Sequence, residues 1–155
     1  MRYRMERKIW FEVPGQPKGK ARARTFYNPK LGRMQSVTPT DTVLYENWIK
    51  ECYIKQAEAI KHKGFFEKEA LDVAINAIYE IPKSTSKKNR QKMESGELLP
   101  CKKPDADNIA KVVCDALNKV AYDDDTQICN LYVCKRYTKE DEEACVQVFI
   151  VTQGE

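Results

Sequence analysis

The pattern of apolar and polar positions divides the chain into short alternating stretches and two longer periodic ones. Lys8 to Val13 is β-branched and aromatic and ends at Pro14-Gly15, which predicts a strand. Thr25 to Tyr27 and Arg33 to Val37 flank Asn28-Pro29-Lys30-Leu31-Gly32, predicting two short strands around a turn. A helix start follows: Thr38 can cap, Pro39 suits the first helical position, and Asp41 sits where a capping carboxylate belongs. Leu44, Tyr45, Trp48, Ile49, Cys52, Tyr53, Ala57 and Ile60 recur at three- and four-residue steps, so this helix should run to about Lys61 with one buried face. Leu71, Val73, Ile75, Ala77 and Tyr79 alternate and predict a strand closed by Ile81-Pro82. Residues 83 to 104 lack periodicity and predict a mobile basic loop with room for one helical turn. Ile109, Val112, Val113, Ala116, Leu117 and Val120 mark a second amphipathic helix. Ile128 to Lys135 and Cys145 to Val151 predict two final strands, with Thr138 to Glu142 as the hairpin tip between them. No repeat or internal boundary interrupts this order, so residues 1–155 are expected to form one α+β (α/β-like) domain, a small mixed sheet covered by two main helices.

Composition narrows the class. With 42% hydrophobic and 32% charged residues in 155, the chain can bury a core and stay soluble, which argues against disorder. No run approaches the ~18 to 20 apolar residues that cross a bilayer, so no membrane partner is expected. The charged start, Met1 to Lys8, is followed by Ile9-Trp10-Phe11, which stops at Glu12 before any signal-peptide core, and a cytoplasmic protein is expected. Its six cysteines are then expected reduced, and they lack a CxxC pair for zinc. His62 has no nearby Cys or His partner and is expected to be solvated near a helix end.

The formal charge of +4 is mild, but its distribution is not. Lys18, Lys20, Arg22, Arg24, Lys30 and Arg33 form a segment without acidic residues. Lys83, Lys87, Lys88, Arg90, Lys92, Lys102 and Lys103 face only Glu94 and Glu97 in a second. Asp105, Asp107, Asp115, Asp123, Asp124 and Asp125 follow, against Lys111 and Lys119. Two basic segments thus bracket an acidic knot.

On the second helix, ~100° per residue puts Asp107, Lys111 and Asn118 opposite the apolar stripe with Asp115 beside them, a face free for chemistry. Asp105 follows Pro104 in a segment expected to be extended, so Asp105 and Asp107 can project to one side, and Asp107 can also cap the helix. Asp123-Asp124-Asp125 meets that pair if the next strand folds back along the helix. Carboxylates gathered this way repel unless a cation intervenes, and hard oxygen donors suit Mg²⁺, or Mn²⁺ in its place. Such a site can activate water and steady the leaving oxygen of a phosphodiester, with Lys111 stabilising charge on the phosphate. Each fragment alone also fits a plain cap or a solvated turn. A calcium loop fails because Ala110 stands where glycine is needed. A phosphate loop fails because Gly15 and Gly19 are too close and Ala21 follows Lys20, so no nucleotide cofactor is expected.

Pro104-Asp105-Ala106-Asp107-Asn108-Ile109-Ala110-Lys111, Asp115-Ala116-Leu117-Asn118 and Asp124-Asp125-Thr126-Gln127 resemble the D-x-D-N-x-x-K, D-A-L-N and D-D-x-Q pattern of the RusA family of Holliday-junction resolvases, endodeoxyribonucleases of phages and prophages. Val13 to Arg24 and the Thr38-Pro39 helix entry are similar to phage members. By position, the resemblance implies essential carboxylates at Asp105, Asp107 and Asp125 and an essential lysine at Lys111; the extra Asp123 leaves Asp124 as an alternative third ligand. It further implies a Mg²⁺-dependent homodimer that binds DNA four-way junctions and makes paired, religatable nicks in recombination and repair. The 83–104 loop is longer than in the shortest members.

Lys18, Lys20, Arg22 and Arg24 alternate with small residues, so all four can face one phosphate track, and Lys87, Lys88 and Arg90 can serve as a second DNA-binding set. The expected function is a Mg²⁺-dependent structure-selective endonuclease. Its rivals are a non-catalytic nucleic-acid-binding protein on the same fold and a flap or RNA nuclease with the same metal site.

Overall fold

Alternation of apolar residues builds the central sheet. In the computed structural model, which describes residues 6–61 and 66–153, Ile9, Phe11 and Val13 of β1 (Lys8–Pro14) point inward, as do Val146, Val148 and Ile150 of β6 (Cys145–Thr152) and Leu71, Val73, Ile75 and Ala77 of β4 (Leu71–Tyr79). With β5 (Ile128–Tyr137) they form a four-stranded mixed sheet in the order β1-β6-β4-β5. β6 runs antiparallel to both of its neighbours, and β4 and β5 are parallel.

One face of this sheet is covered by α1 (Thr40–Ala59) and α3 (Ala106–Leu117), which pack against each other, α1 on β1 and α3 on β5. Ile109, Val112, Val113, Ala116 and Leu117 are all buried, so the predicted stripe of α3 holds. The stripe of α1 is narrower than its sequence pattern: Thr42, Tyr45, Ile49 and Tyr53 are buried, while Leu44 and Trp48 lie exposed beside them. Pro39 stands at the N-cap of α1, where its carbonyl accepts from the Thr42 and Val43 N–H groups (3.1 and 3.2 Å); no side-chain cap forms at Thr38.

Two further expectations are corrected. Residues 83 to 104 contain a two-turn helix, α2 (Lys87–Glu94), whose N-cap Ser86 accepts from the Asn89 N–H at 3.3 Å. A local cap, with the Arg90–Glu94 pair one turn apart, makes a helix without an apolar stripe. Residues 138–142 are not a hairpin tip, because β4 lies between β5 and β6. The connection crosses the end of β4 instead, with the Thr138 N–H donating to the Tyr79 carbonyl at 2.9 Å. The bidentate Arg136–Glu142 pair (2.7 Å for each bond) organises the turn that follows.

β2 (Arg24–Asn28) and β3 (Arg33–Val37) form a separate two-stranded ribbon, as predicted. None of the helices among the described residues is long and apolar enough to cross a membrane. Cys52, Cys101, Cys114, Cys129, Cys134 and Cys145 are free thiols. His62 lies outside the described residues.

Candidate active site

The parallel β4–β5 pairing requires a long crossover, and α2 and α3 lie within it. The chain therefore turns back after α3, and β5 returns along the side of that helix. The turn is built by hydrogen bonds. Phe66 N–H donates to the Ala121 carbonyl (2.8 Å), and Tyr122, fully buried, donates its hydroxyl to the Cys114 carbonyl (2.8 Å). Asn118 is drawn into this turn as the C-cap of α3, with its Oδ1 buried and lacking a hydrogen-bond partner among the described residues, so it does not share the open face with Lys111.

Fold-back brings the acidic triplet to α3. A cleft of about 560 Å³ runs between α3 and β5, lined by Ala106, Asp107, Ala110, Lys111 and Cys114 on one side, Ile128, Cys129, Leu131 and Val133 on the other, and Asp125 at the turn. Asp107, Lys111 and Asp125 thus line one cleft. Asp105 does not: it lines an adjoining groove of about 390 Å³ with Lys103, Pro104, Asn108 and the segment Pro17 to Ala21. The helix begins at Ala106, so the extended backbone of Asp105 (φ −70°, ψ 153°) is not continued, and the two carboxylates line separate cavities. Neither caps α3 through its side chain; Asp105 occupies the N-cap position, Asp107 the first turn.

The three consecutive aspartates have three different jobs. Asp123 pairs with Lys119 (2.7 Å). Asp124 caps the short 3-10 turn Asp125–Gln127 by accepting from the Thr126 N–H (2.9 Å), which holds its carboxyl below the usual range. Asp125 faces the cleft, where burial first, and then a hydrogen bond with Asp124, push its carboxyl above the usual range. Asp124 is thus tied to the backbone of its own turn, whereas Asp125 lines the cleft together with Lys111 and Asp107.

Gln127 had no assigned role from sequence. Its Oε1 accepts from the N–H groups of Asp123 (2.9 Å) and Asp124 (3.1 Å), and its Nε2 donates to the carbonyls of Phe66 (2.9 Å) and Glu69 (3.0 Å). One amide side chain thus clamps the acidic turn to the chain entering β4. The D-D-x-Q spacing itself carried the signal, since a glutamine three residues after an N-cap can complete a capping box.

The basic arm is also redistributed. Gly19 passes so close to α3 that an added Cβ would stand 2.9 Å from the side chains of both Asn108 and Pro104, and the Lys20 N–H donates to the Asn108 carbonyl at 2.9 Å. Lys20 then turns inward. Its ammonium pairs with Glu46 of α1 and with Asp115 of α3 (3.2 Å), whose other oxygen holds Lys111 at 2.9 Å. That hydrogen bond to Asp115 keeps the Lys111 ammonium protonated, its pKa raised. Lys18 lies 5.8 Å over the ring of Tyr45. The expected four-residue phosphate track is thus reduced by Lys20, while Arg22 and Arg24 stay exposed. On α2, Lys87 and Lys88 are exposed and Arg90 is pulled toward Glu94 (3.9 Å).

The donor set fits a hard divalent cation. No three carboxylate, thiol or imidazole groups among the described residues are close enough to form a closed cage. Asp107 and Asp125 instead offer two oxygen-donor groups on an open cleft, and Mg²⁺ is commonly held by one or two carboxylates with water and substrate phosphate completing its shell.

Comparison with known proteins agrees with this architecture. A family model described as endodeoxyribonuclease RusA matches residues 14–149, from the end of β1 into β6. An uncharacterised protein of Bacillus subtilis (strain 168), YqaN, is 44% identical over 71 residues, 46% of this chain and 50% of that protein. The chain therefore spans about half the length of that curated relative. With the family match covering most of the sequence and a mixed sheet, fold-back turn and acidic cleft in place, the chain belongs to the RusA family of endodeoxyribonucleases.

Proposed function

We propose that the protein is a Mg²⁺-dependent, structure-selective endodeoxyribonuclease that resolves Holliday junctions by paired phosphodiester hydrolysis, with Mn²⁺ able to substitute. The observation that carries this reading is the convergence of Asp107, Asp125 and Lys111 on one open cleft. Asp107 and Asp125 would hold the cation, with Asp105 approaching from the adjoining groove. When bound, the cation supplies Lewis-acid stabilisation and a lowered pKa for water. Asp107 and Asp125 would keep that cation in the cleft where a scissile phosphate enters, and the Lys111 ammonium offers a hydrogen-bond donor to the non-bridging oxygens. Water oxygen bonds to phosphorus and gives up a proton to solvent as the phosphorus–oxygen bond to one sugar breaks, and the released alkoxide takes a proton from solvent, so that water is added across the bond with no net change in protons beyond those of the products. Arg22, Arg24, Lys87 and Lys88 would contact phosphates outside the cleft.

A junction with two-fold symmetry needs two equivalent cuts, which a two-fold homodimer supplies. We place this activity in a cytoplasmic, phage-type or prophage-type enzyme of recombination and repair. The test incubates the purified protein with a synthetic four-way junction, a linear duplex and a flap, in Mg²⁺ or EDTA. Paired, metal-dependent nicks in the junction that vanish in Asp107→Asn while binding persists are expected. Binding without cleavage under any divalent metal would sink the enzyme reading, and preference for a flap or RNA would replace the junction as substrate.

A further inference from the structure

The β2–β3 ribbon has no covered face. Phe26 (46%), Tyr27 (59%), Leu31 (53%) and Met34 (61%) are all exposed, although a two-stranded ribbon alone is marginal in water. Register and alternation sort its side chains. Arg24, Phe26 and Val37 face the start of α1 across a cavity of about 580 Å³. On the opposite face Tyr27 and Met34 stand directly across the ladder from each other. Lys30 and Leu31 occupy the turn, where the Leu31 N–H donates to the Asn28 carbonyl (3.1 Å) and Gly32 has φ +61°, and Arg33, paired with Asn28, closes the tip on the Arg24–Phe26 side, flanking the Tyr27–Met34 face from the ribbon's end.

Charge selects the occupant. From Val13 to Thr40 there are six basic residues and no acidic one. A second copy of the ribbon would bring like charges together, whereas a polyanion complements them. A two-stranded ribbon fits the ~12 Å major groove, and an aromatic or thioether surface between cations suits bases and sugars next to phosphates. The root of the ribbon is fixed near the cleft by Gly19 and by Lys20, whose Asp115 partner holds Lys111. At ~3.3 Å per residue, the eleven steps along the chain from Lys20 to Leu31 reach at most ~36 Å, about one helical turn of duplex from that anchor.

We propose that the β2–β3 ribbon is a second DNA-binding element, gripping a substrate arm outside the cleft with Lys30 and Arg33 on phosphates and the Tyr27–Met34 pair against bases or sugars. This rests on the reading of DNA as substrate. The test measures full-length protein binding to a fluorescent four-way junction in EDTA over a salt series. Lys30→Ser/Arg33→Ser should weaken binding at least tenfold and lower the salt slope by about two. Tyr27→Ser/Met34→Ser should weaken it about tenfold with the slope unchanged. Circular dichroism and light scattering accompany each variant. Binding within twofold of wild type for both pairs overturns the proposal, as does conversion of a wild-type dimer to monomer by the Tyr27/Met34 pair, which would make the ribbon a subunit contact. Wild-type protein that binds no DNA would instead remove the nuclease reading itself, before any variant is compared.

Discussion

Gln127→Ala is the substitution with the most to say about how the acidic turn is built. The side chain makes four hydrogen bonds, two from exposed N–H groups of Asp123 and Asp124 and two to the carbonyls of Phe66 and Glu69. Water can replace the first two after truncation. The second two are partly buried, so each counts for about 0.5–1.5 kcal/mol, and the loss should be about 1–3 kcal/mol. For a chain of this size that is a fall of roughly 2–10 °C in Tm. The functional effect should be larger than the structural one, because Asp125 sits on the same short turn and a displacement of about 1 Å in a reacting group can cost about 100-fold in rate. Gln127→Glu separates the two contributions: it keeps an acceptor for the Asp123 and Asp124 N–H groups but sets a carboxylate against two carbonyl oxygens. It should be at least as destabilising at pH 7 and partly recover on acidification, when a protonated carboxyl can donate. Thermal unfolding, with junction cleavage as a function of Mg²⁺ concentration, checks both. A Gln127→Ala variant with Tm within 1 °C of wild type and cleavage within threefold would refute the clamp.

Asp115→Asn should release Lys111 from its 2.9 Å partner and lower the cleavage rate about tenfold while junction affinity stays unchanged, read as a kcat loss at constant KM. Gly19→Ala should cost about 1–3 kcal/mol in urea unfolding, because its Cβ would meet Asn108 and Pro104 at 2.9 Å. Glu142 is held down to about 2 by the hydrogen bonds from Arg136, against about 4.3 in an unfolded chain. Its contribution is therefore complete above about pH 4.5 and lost as pH falls toward 2; Glu142→Gln should remove about 1–2 kcal/mol at pH 7 and flatten that acid limb in a pH series of denaturant melts.

Much of this organisation is legible in the chain because it is local. Strand alternation at Ile9-Phe11-Val13 and the apolar offsets of α3 are read directly from side-chain period, and both are found buried. What is not legible is non-local. Nothing in the residues of β5 and β6 says that β4 comes between them, because pairing partners are chosen by the whole sheet; a short polar link imitates a hairpin tip. α2 lacks an apolar stripe, so periodicity is silent there, and its Ser86 cap was the available clue. Lys20 looks like its neighbours Lys18 and Arg22 until Gly19 brings the arm against α3 and exposes its ammonium to Glu46 and Asp115. Composition counts such a lysine as surface charge; the fold consumes it.

The same reasoning explains the acidic segment better than its net charge does. Six aspartates lie between Asp105 and Asp125, and three are satisfied internally: Asp115 by Lys20 and Lys111, Asp123 by Lys119, Asp124 by the Thr126 N–H. No ion pair reaches Asp105, Asp107 or Asp125 among the described residues, and these are the three carboxylates to which the proposed function gives the cation. Lysines are present at this face, yet they are spent on neighbouring carboxylates and not on these three. Asp125, partly buried, already shows its carboxyl pushed upward, by burial first and then by its hydrogen bond with Asp124. That arrangement is unfavourable for a protein whose acidic residues serve only to solubilise it, since solvation of Asp125 would be better at the surface. It is suited to a cleft where external positive charge completes the balance, flanked by the exposed cations of α2 and of the β2–β3 ribbon.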